Sequence, residues 1–340
     1  MVKRIGTLTK RGSGGQIMGN INESIVLVGG GGGVYRIARF LKHIRPNITT
    51  IQTTFDHGGH SGTLRDERGA LPPGDIRQAI LALSDEEIES ELRELLSYRF
   101  TPKNGSSLDS VSVGNILLTA LTEIKGNVIP AINILCRWFK VKGKVLPVSL
   151  NNADAELCVS LSDGSVLKGE GLIDKRVFSD NRKITSAFLE PVAHIYSGAH
   201  DAIVSADKIV FCPGDFYTSV IPNVLVDGFK EAIRESHAKI ILVVNIMNKK
   251  SETGRFTASK FAKILLKHLS RDHFDFVLCN KGTLSKKLLD SYKKEHSFPV
   301  GLDVETLKKY AHNIIADDFV DEVGGIVRHK ENIASVIAGI

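Results

Sequence analysis

Short, nearly continuous apolar runs alternate along this chain with stretches in which apolar residues return every three or four positions. The run SIVLVGG, from Ser24 to Gly30, is followed shortly by VYRIARFLKHI, in which Val34, Ile37, Ala38 and Leu41 fall at helical spacing. That order predicts a strand, a tight glycine turn and a helix. The β-branched stretch NITTIQTTFD completes a βαβ unit by Asp56, and parallel strands joined through a helix require a sheet covered on both faces. Helical periodicity runs over 75–99 and 111–140, separated by the polar connector TPKNGSSLDS. From VLPVSL onward the texture changes: AELCVSLSDGSVLKGEGLI alternates around Asp163-Gly164, a dipeptide suited to a two-residue hairpin turn. The strand-and-helix pattern resumes at Ala206 with KIVFCPGD, VDGFKEAIRES and KIILVVNIM, and DFVLCNKG, HNIIADDF and KENIASVIAG add further strands and a closing helix. The predicted fold is α/β, a Rossmann-like, doubly wound, mostly parallel sheet with a helical insertion at about 75–140 and a small β insertion at about 145–190. Residues 1–22 read as a flexible polar tail and 23–340 as one domain.

Composition narrows the functional classes. Lys and Arg number 44 against 38 Asp and Glu, a mild excess spread along the chain without the clustering that a nucleic-acid footprint needs. No nucleic-acid partner is expected. Cys136, Cys158, Cys212 and Cys279 are far apart and form no C-x-x-C pair, so they read as buried thiols of a reducing compartment. The opening segment MVKRIGTLTKRGSGGQIMGNINES is basic without the apolar core of a secretory signal. No apolar run reaches the roughly 18 residues of a membrane span. A cytoplasmic protein with no membrane span is expected.

The candidate chemistry starts at the glycine turn. Gly29, Gly30, Gly31, Gly32 and Gly33 stand between the first strand and its helix, where backbone N–H groups can approach a phosphate at the positive end of the helix dipole. The dinucleotide fingerprint is absent, since the sixth position counted from Gly29 is Val34 and from Gly30 is Tyr35. NAD is therefore not expected. No Gly-Lys-Ser/Thr follows, so the phosphate loop of nucleotide hydrolases is absent too. Open α/β sheets bind ligands beyond the carboxyl ends of their strands. The second strand delivers Asp56 to that edge, followed by His57, Gly58, Gly59, His60, Ser61 and Gly62. Asp56 there suits either a ribose or Mg²⁺, a hard cation that takes carboxylate and phosphate oxygens. Asp75, in LPPGDIR, stands where a helical run begins and is expected to be its N-cap. In CPGDFYTSVIPNVLV, Pro213 and Gly214 make a turn after a buried strand, and Tyr217, Thr218, Ser219 and Asn223 gather hydrogen-bonding groups at the same edge.

Taken in order, VGGGGG, DHGGHSGTLRDERGALPPGDIRQAILALS, GNILLTALTEIKGN, KVLPVSL, FCPGDFYTSVIPNVLV, NIMNKKSETGRFTASKF and VRHKENIA resemble the family uniting 2-phospho-L-lactate transferase (CofD-like) with the gluconeogenesis factors (YvcK-like). The likeness runs from about Ile25 to the C-terminus, and YTSVIPNVLV and SETGRFTAS are similar to the gluconeogenesis-factor branch. The resemblance implies a Rossmann-like core whose cleft is walled by the glycine loop, the second loop and the Pro-Gly loop. In the gluconeogenesis-factor branch the implied ligand is a UDP-sugar such as UDP-N-acetylglucosamine, linking carbon metabolism to cell-wall growth and cell shape. Glycines 29–33 and 58–62 would then hold the diphosphate, Asp56 the ribose or metal, and Tyr217, Thr218, Ser219, Asn223 and Asn245 the base or sugar. Arg328, leading into the last helix, would neutralise phosphate as a fork of donors. In the transferase branch the cleft moves a phospholactyl group from a nucleotide diphosphate donor to a deazaflavin alcohol, with Mg²⁺ held by Asp56 and phosphates met by Arg65 or Arg77. The expected partners are a nucleotide or nucleotide-sugar ligand and a second copy of the chain in a homodimer. Five positions depart from the family pattern: Gly32 stands for a threonine, His57 for a second aspartate, His60 for a serine, Cys212 for a glycine and Asp215 for a serine.

Overall fold

The computed structural model describes residues 21–55, 71–101, 111–150, 155–176 and 180–340. Seven of its strands form one parallel sheet: β1 (Ile25–Gly29), β2 (Ile48–Gln52), β3 (Lys144–Pro147), β7 (Lys208–Phe211), β8 (Lys239–Val243), β9 (Phe274–Asn280) and β10 (Ala311–Asp317). Between β3 and β7, the strands β4 (Glu156–Leu161), β5 (Val166–Lys168) and β6 (Ile184–Glu190) make a small antiparallel sheet, and β11 (Val320–Val323) and β12 (Ile326–His329) form a hairpin. The spatial order of the large sheet is β10-β9-β8-β7-β1-β2-β3, and every pairing in it is parallel.

The apolar runs make central strands because both faces of the sheet are buried. Successive side chains point to opposite faces: Ile25 and Leu27 enter one core, Val26 and Val28 the other. The first core is closed by α1 (Gly31–Leu41), α2 (Pro73–Leu83), α4 (Val113–Lys125), α5 (Val128–Trp138) and α13 (Asn332–Gly339), with α3 (Glu86–Ser97) at its margin. The second is closed by the β4–β6 sheet with its short α6 (Glu170–Asp174), and by α7 (Ser197–Val204), α9 (Phe229–Glu235) and α10 (Ala258–Leu269). A π-helical turn, Phe216–Val220, runs directly into α8 (Ile221–Val224), while α11 (Lys286–Lys294) and α12 (Val304–Leu307) flank the β9–β10 edge.

Local chemistry divides what periodicity alone joins. The pattern over 75–99 is two helices, broken at Ser84, whose extended backbone ends α2. That over 111–140 is split at Gly126, which takes the left-handed conformation (φ 68°), after which Asn127 caps α5 by accepting from the Ile129 N–H at 2.8 Å. The β4–β5 turn is also longer than the sequence suggests. The Leu161 N–H donates to Ser165 O and the Gly164 N–H to Leu161 O, leaving Ser162, Asp163 and a left-handed Gly164 in the loop, the three-residue form with a bulge.

The site follows from topology. From β1 the chain passes to β2 on one side, and much later returns on the other side as β7. The connections leaving β1 and β7 therefore diverge, opening a crevice at their carboxyl ends.

Candidate functional site

The glycine turn forms one wall. Gly31 adopts a left-handed conformation (φ 59°) at the start of α1. A Cβ on Gly33 would lie 1.6 Å from the carbonyl oxygen of Pro213, so only glycine lets α1 approach the Pro-Gly loop this closely. Gly30 is the N-cap; α1 has neither a side-chain cap nor an acidic residue in its first turn. The first N–H groups of a helix have no partner within it, and at Gly32, in this first turn, an added Cβ would meet nothing within 4 Å among the described residues.

At the end of β2, the Thr53 N–H donates to Gly29 O at 3.0 Å. A Cβ on Gly30 would lie 2.3 Å from Asp75 Oδ2 and 2.9 Å from the Thr53 methyl, so Asp75 does stand against the glycine turn. It is not the N-cap expected of it. The helix begins at Pro73, with Pro72 as cap, and Asp75 falls inside the first turn, because a proline with fixed φ is pre-organised for the first helical position. Asp56, His57, Gly58, Gly59, His60, Ser61, Gly62 and Arg65 lie outside the described residues.

The Pro-Gly loop forms the opposite wall and is held from three directions. Asn245, just beyond β8, donates from Nδ2 to Gly214 O at 2.7 Å and accepts from the Gly214 N–H at 3.4 Å. Asn223 is fully buried and donates to Ser219 O at 2.9 Å and, more distantly, to Gly29 O at 3.4 Å. The third hold is Glu252, whose carboxylate accepts from the Tyr217 N–H at 2.6 Å and the Thr218 hydroxyl at 3.0 Å. Tyr217, Thr218 and Asn223 are thus buried supports of the loop, whereas Ser219 is half-buried and faces Gly214.

Asp215 turns toward Lys249, whose ammonium lies 2.7 Å from its carboxylate and 3.7 Å from that of Glu252, and also pairs with Asp174 at the end of α6. Asp174, Asp215 and Glu252 form the one three-residue group of metal-ligand type among the described residues, their candidate atoms all within 4.8 Å of one another; the Lys249 ammonium lies among them and offsets part of their negative charge. Burial and the neighbouring Asp215 charge push the Glu252 carboxyl up to about 7, against the opposing pull of Lys249 and its own hydrogen bonds. Burial disfavours the Lys249 cation, but the surrounding carboxylates outweigh it and raise its pKa. Lys249, Glu252 and Asp174 are absent from the residues that sequence reasoning singles out. The segment NKKSETG enters the sequence reading only through its family likeness, and nothing in its spacing reveals that Glu252 is buried.

Arg328 stands in β12, several residues before α13, not at the mouth of that helix. It is exposed, and its charge is felt by Arg36 on α1. Arg36 donates to His329 O and to Asp321, both at 2.8 Å, tying the hairpin to α1. Arg77 is buried, with its guanidinium donating to Asn115 Oδ1 at 3.1 Å. Beyond Asn245, a cavity of ≈ 340 Å³ opens at the ends of β8 and β9, lined by Ile246, Asn280, Gly282, Thr283 and Val300 among others.

The family profile described as 2-phospho-L-lactate transferase CofD matches residues 25–320. The chain belongs to the CofD family. Within it, the chain is 37% identical over 315 residues to a gluconeogenesis factor of Halalkalibacterium halodurans, covering 92% of this chain and 94% of the relative. It is 34% identical over 323 residues to the gluconeogenesis factor of Bacillus subtilis, covering 93% and 97%. A crystal structure of a UPF0052-family protein from Bacillus halodurans superposes with a TM-score of 0.86 at 35% identity, over 93% of this chain and 99% of that one. In this CofD-family member, Asp215 of the Pro-Gly loop is paired with Lys249. An added Cβ on Gly32 would meet nothing within 4 Å among the described residues.

Proposed function

We propose that this CofD-family protein binds a nucleotide-sugar, a UDP-sugar such as UDP-N-acetylglucosamine, in the switch-point crevice, and acts as a gluconeogenesis factor linking carbon metabolism to cell-wall growth and cell shape. The observation that carries the reading is the start of α1: a glycine turn without a side-chain cap or a first-turn acid, open at Gly32 and facing Gly214. Backbone N–H groups at the positive end of a helix dipole favour a diphosphate. Buried atoms without protein partners at the same edge, the amide of Gln52, the hydroxyl of Thr53 and Oδ1 of Asn223, support a ligand with hydrogen-bonding groups of its own. The neighbouring cavity is of a size for a base or sugar ring.

The family description favours a second reading, a Mg²⁺-dependent phospholactyl transferase. Phosphoryl chemistry depends mainly on metal ions and placed cations. In that reading Asp56 holds Mg²⁺ and Arg65 or Arg77 meets phosphate, Arg77 also donating its Nε–H to Asn115. Thermal unfolding with UDP-N-acetylglucosamine, with GDP and Mg²⁺, and with NAD separates the readings. A ligand at a hundred times its Kd adds about 2.7 kcal/mol of stability. A shift with the UDP-sugar is expected and none with NAD; no shift with any UDP-sugar refutes the first reading, and turnover of a dinucleotide-activated lactate donor with the deazaflavin alcohol establishes the second.

A further inference from the structure

The Pro-Gly loop carries a carboxylate one residue from the backbone that faces the glycine turn. Gly214 lies within van der Waals reach of Gly30 O, since its added Cβ would stand 3.5 Å from it, and Asp215 follows immediately. Left uncompensated, an ionised Asp215 would repel an anion in the crevice across a short distance and a partly desolvated path. Its side chain turns instead to Lys249, beyond the end of β8. The same ammonium reaches Asp174 of the β4–β6 insertion and the buried Glu252. Glu252 in turn holds the Tyr217 N–H and the Thr218 hydroxyl, the first groups of the π-helical turn. One cation therefore meets the loop's charge and, through Glu252, its anchor.

We propose that Lys249 is the positioning and charge-balancing residue of the anion site: it draws the Asp215 carboxylate away from the crevice and, with Glu252, sets the Pro-Gly loop against the glycine turn. This rests on the reading of the crevice as an anion site. The groups facing the Lys249 ammonium are Asp215 from the loop, Asp174 from α6 and Glu252 from its own turn. Arg176, also from the insertion, binds the adjoining Ser251 carbonyl at 2.9 Å and so braces the same turn.

The test is a double-mutant cycle on the full chain, read by calorimetry with UDP-N-acetylglucosamine and, separately, inorganic pyrophosphate. Lys249→Met is expected to weaken binding about tenfold or more, because a carboxylate is released toward the anion. Asp215→Asn alone should bind at least as well as the wild type. Adding Asp215→Asn to Lys249→Met should restore affinity to within about threefold of the wild type, the coupling expected of charges in contact. A purely structural lysine would not be rescued by removing a charge. Lys249→Gln serves should the methionine variant fold poorly, and hydrogen exchange of the 214–220 amides in ligand-free protein reports the loop directly, with faster exchange expected in Lys249→Met and Glu252→Gln. Equal affinity of wild type and Lys249→Met for the bound probe, or a loss not restored in the double variant, overturns the proposal. A wild-type chain that binds pyrophosphate but not the UDP-sugar overturns only the functional reading, and the cycle is then read with pyrophosphate. Binding of neither probe overturns both.

Discussion

Gly33 and His329 show how single residues shape the crevice. At Gly33 the obstacle to a side chain is backbone, the Pro213 carbonyl oxygen at 1.6 Å and its carbon at 2.5 Å, so no rotamer can relieve it. Gly33→Ala should push the Pro-Gly loop away and destabilise the protein by roughly 1–3 kcal/mol, the usual cost of overpacking; chemical denaturation checks this. His329 is buried on β12 and its Nε2–H donates to Val244 O at 3.3 Å, which fixes the neutral tautomer. Burial lowers its pKa from 6.5 to about 4, with Arg36 adding to the effect and the Val244 carbonyl opposing it. The unfolded chain thus binds a proton at this residue between pH 6.5 and 4 that the folded chain does not. Its contribution to stability is complete above pH 6.5 and lost as the pH falls toward 4, on the order of 3 kcal/mol. The loss of stability between pH 7 and 4.5, measured by urea unfolding, should be smaller in His329→Gln than in the wild type; an unchanged loss would show that His329 is not the group responsible.

Elements are joined by buried cations as well as by apolar packing. Lys208, at the start of β7, is 1% exposed; its ammonium pairs with Glu23 at 2.7 Å and accepts the role of cap for α13, donating to Ile337 O and Ala338 O at 3.3 and 3.2 Å. Arg45 donates to the same Ala338 carbonyl at 2.6 Å. Both cations stand at the negative end of the helix dipole. Lys208→Met takes the close cation from Glu23 and a donor from the Ile337 carbonyl and should cost about 3 kcal/mol in denaturant unfolding, more than any exposed lysine, such as Lys260, changed to methionine. In the sequence, Lys208 is only the first residue of the strand segment KIVFCPGD. Strands and helices themselves were legible because central parallel strands are apolar on both faces and the helices bury one stripe. Their breaks at Ser84 and Gly126, and the longer β4–β5 turn, depend on local backbone conformation that periodicity does not record. The glycine and Pro-Gly loops were legible as loops at a sheet edge, and the close approach of Gly33 to Pro213 explains one of those glycines. Glu252 and Lys249 were not, because a buried charge in a turn is identified only by the distant groups that satisfy it, here Tyr217, Thr218 and Asp215.

For the whole molecule, topology makes the site and the side chains adapt it. The strand order brings the turns after β1 and β7 together, and the membership of the chain in the CofD family agrees with that architecture. Within it, Asn245, Asn223 and Glu252 fix the Pro-Gly loop while the start of α1 stays open. A single position isolates the central claim that an anionic ligand binds at this opening. Gly32 is in the first turn of α1, exposed, with no neighbour within 4 Å of an added Cβ among the described residues. An aspartate there suits the helix dipole and should leave the thermal midpoint at or above that of the wild type. It also places a negative charge where the diphosphate is to bind. Calorimetric titration of Gly32→Asp and wild-type protein with UDP-N-acetylglucosamine should show affinity lost by at least about tenfold, equivalent to 1.4 kcal/mol, in a variant of undiminished stability. Equal affinity in the two proteins would contradict the account.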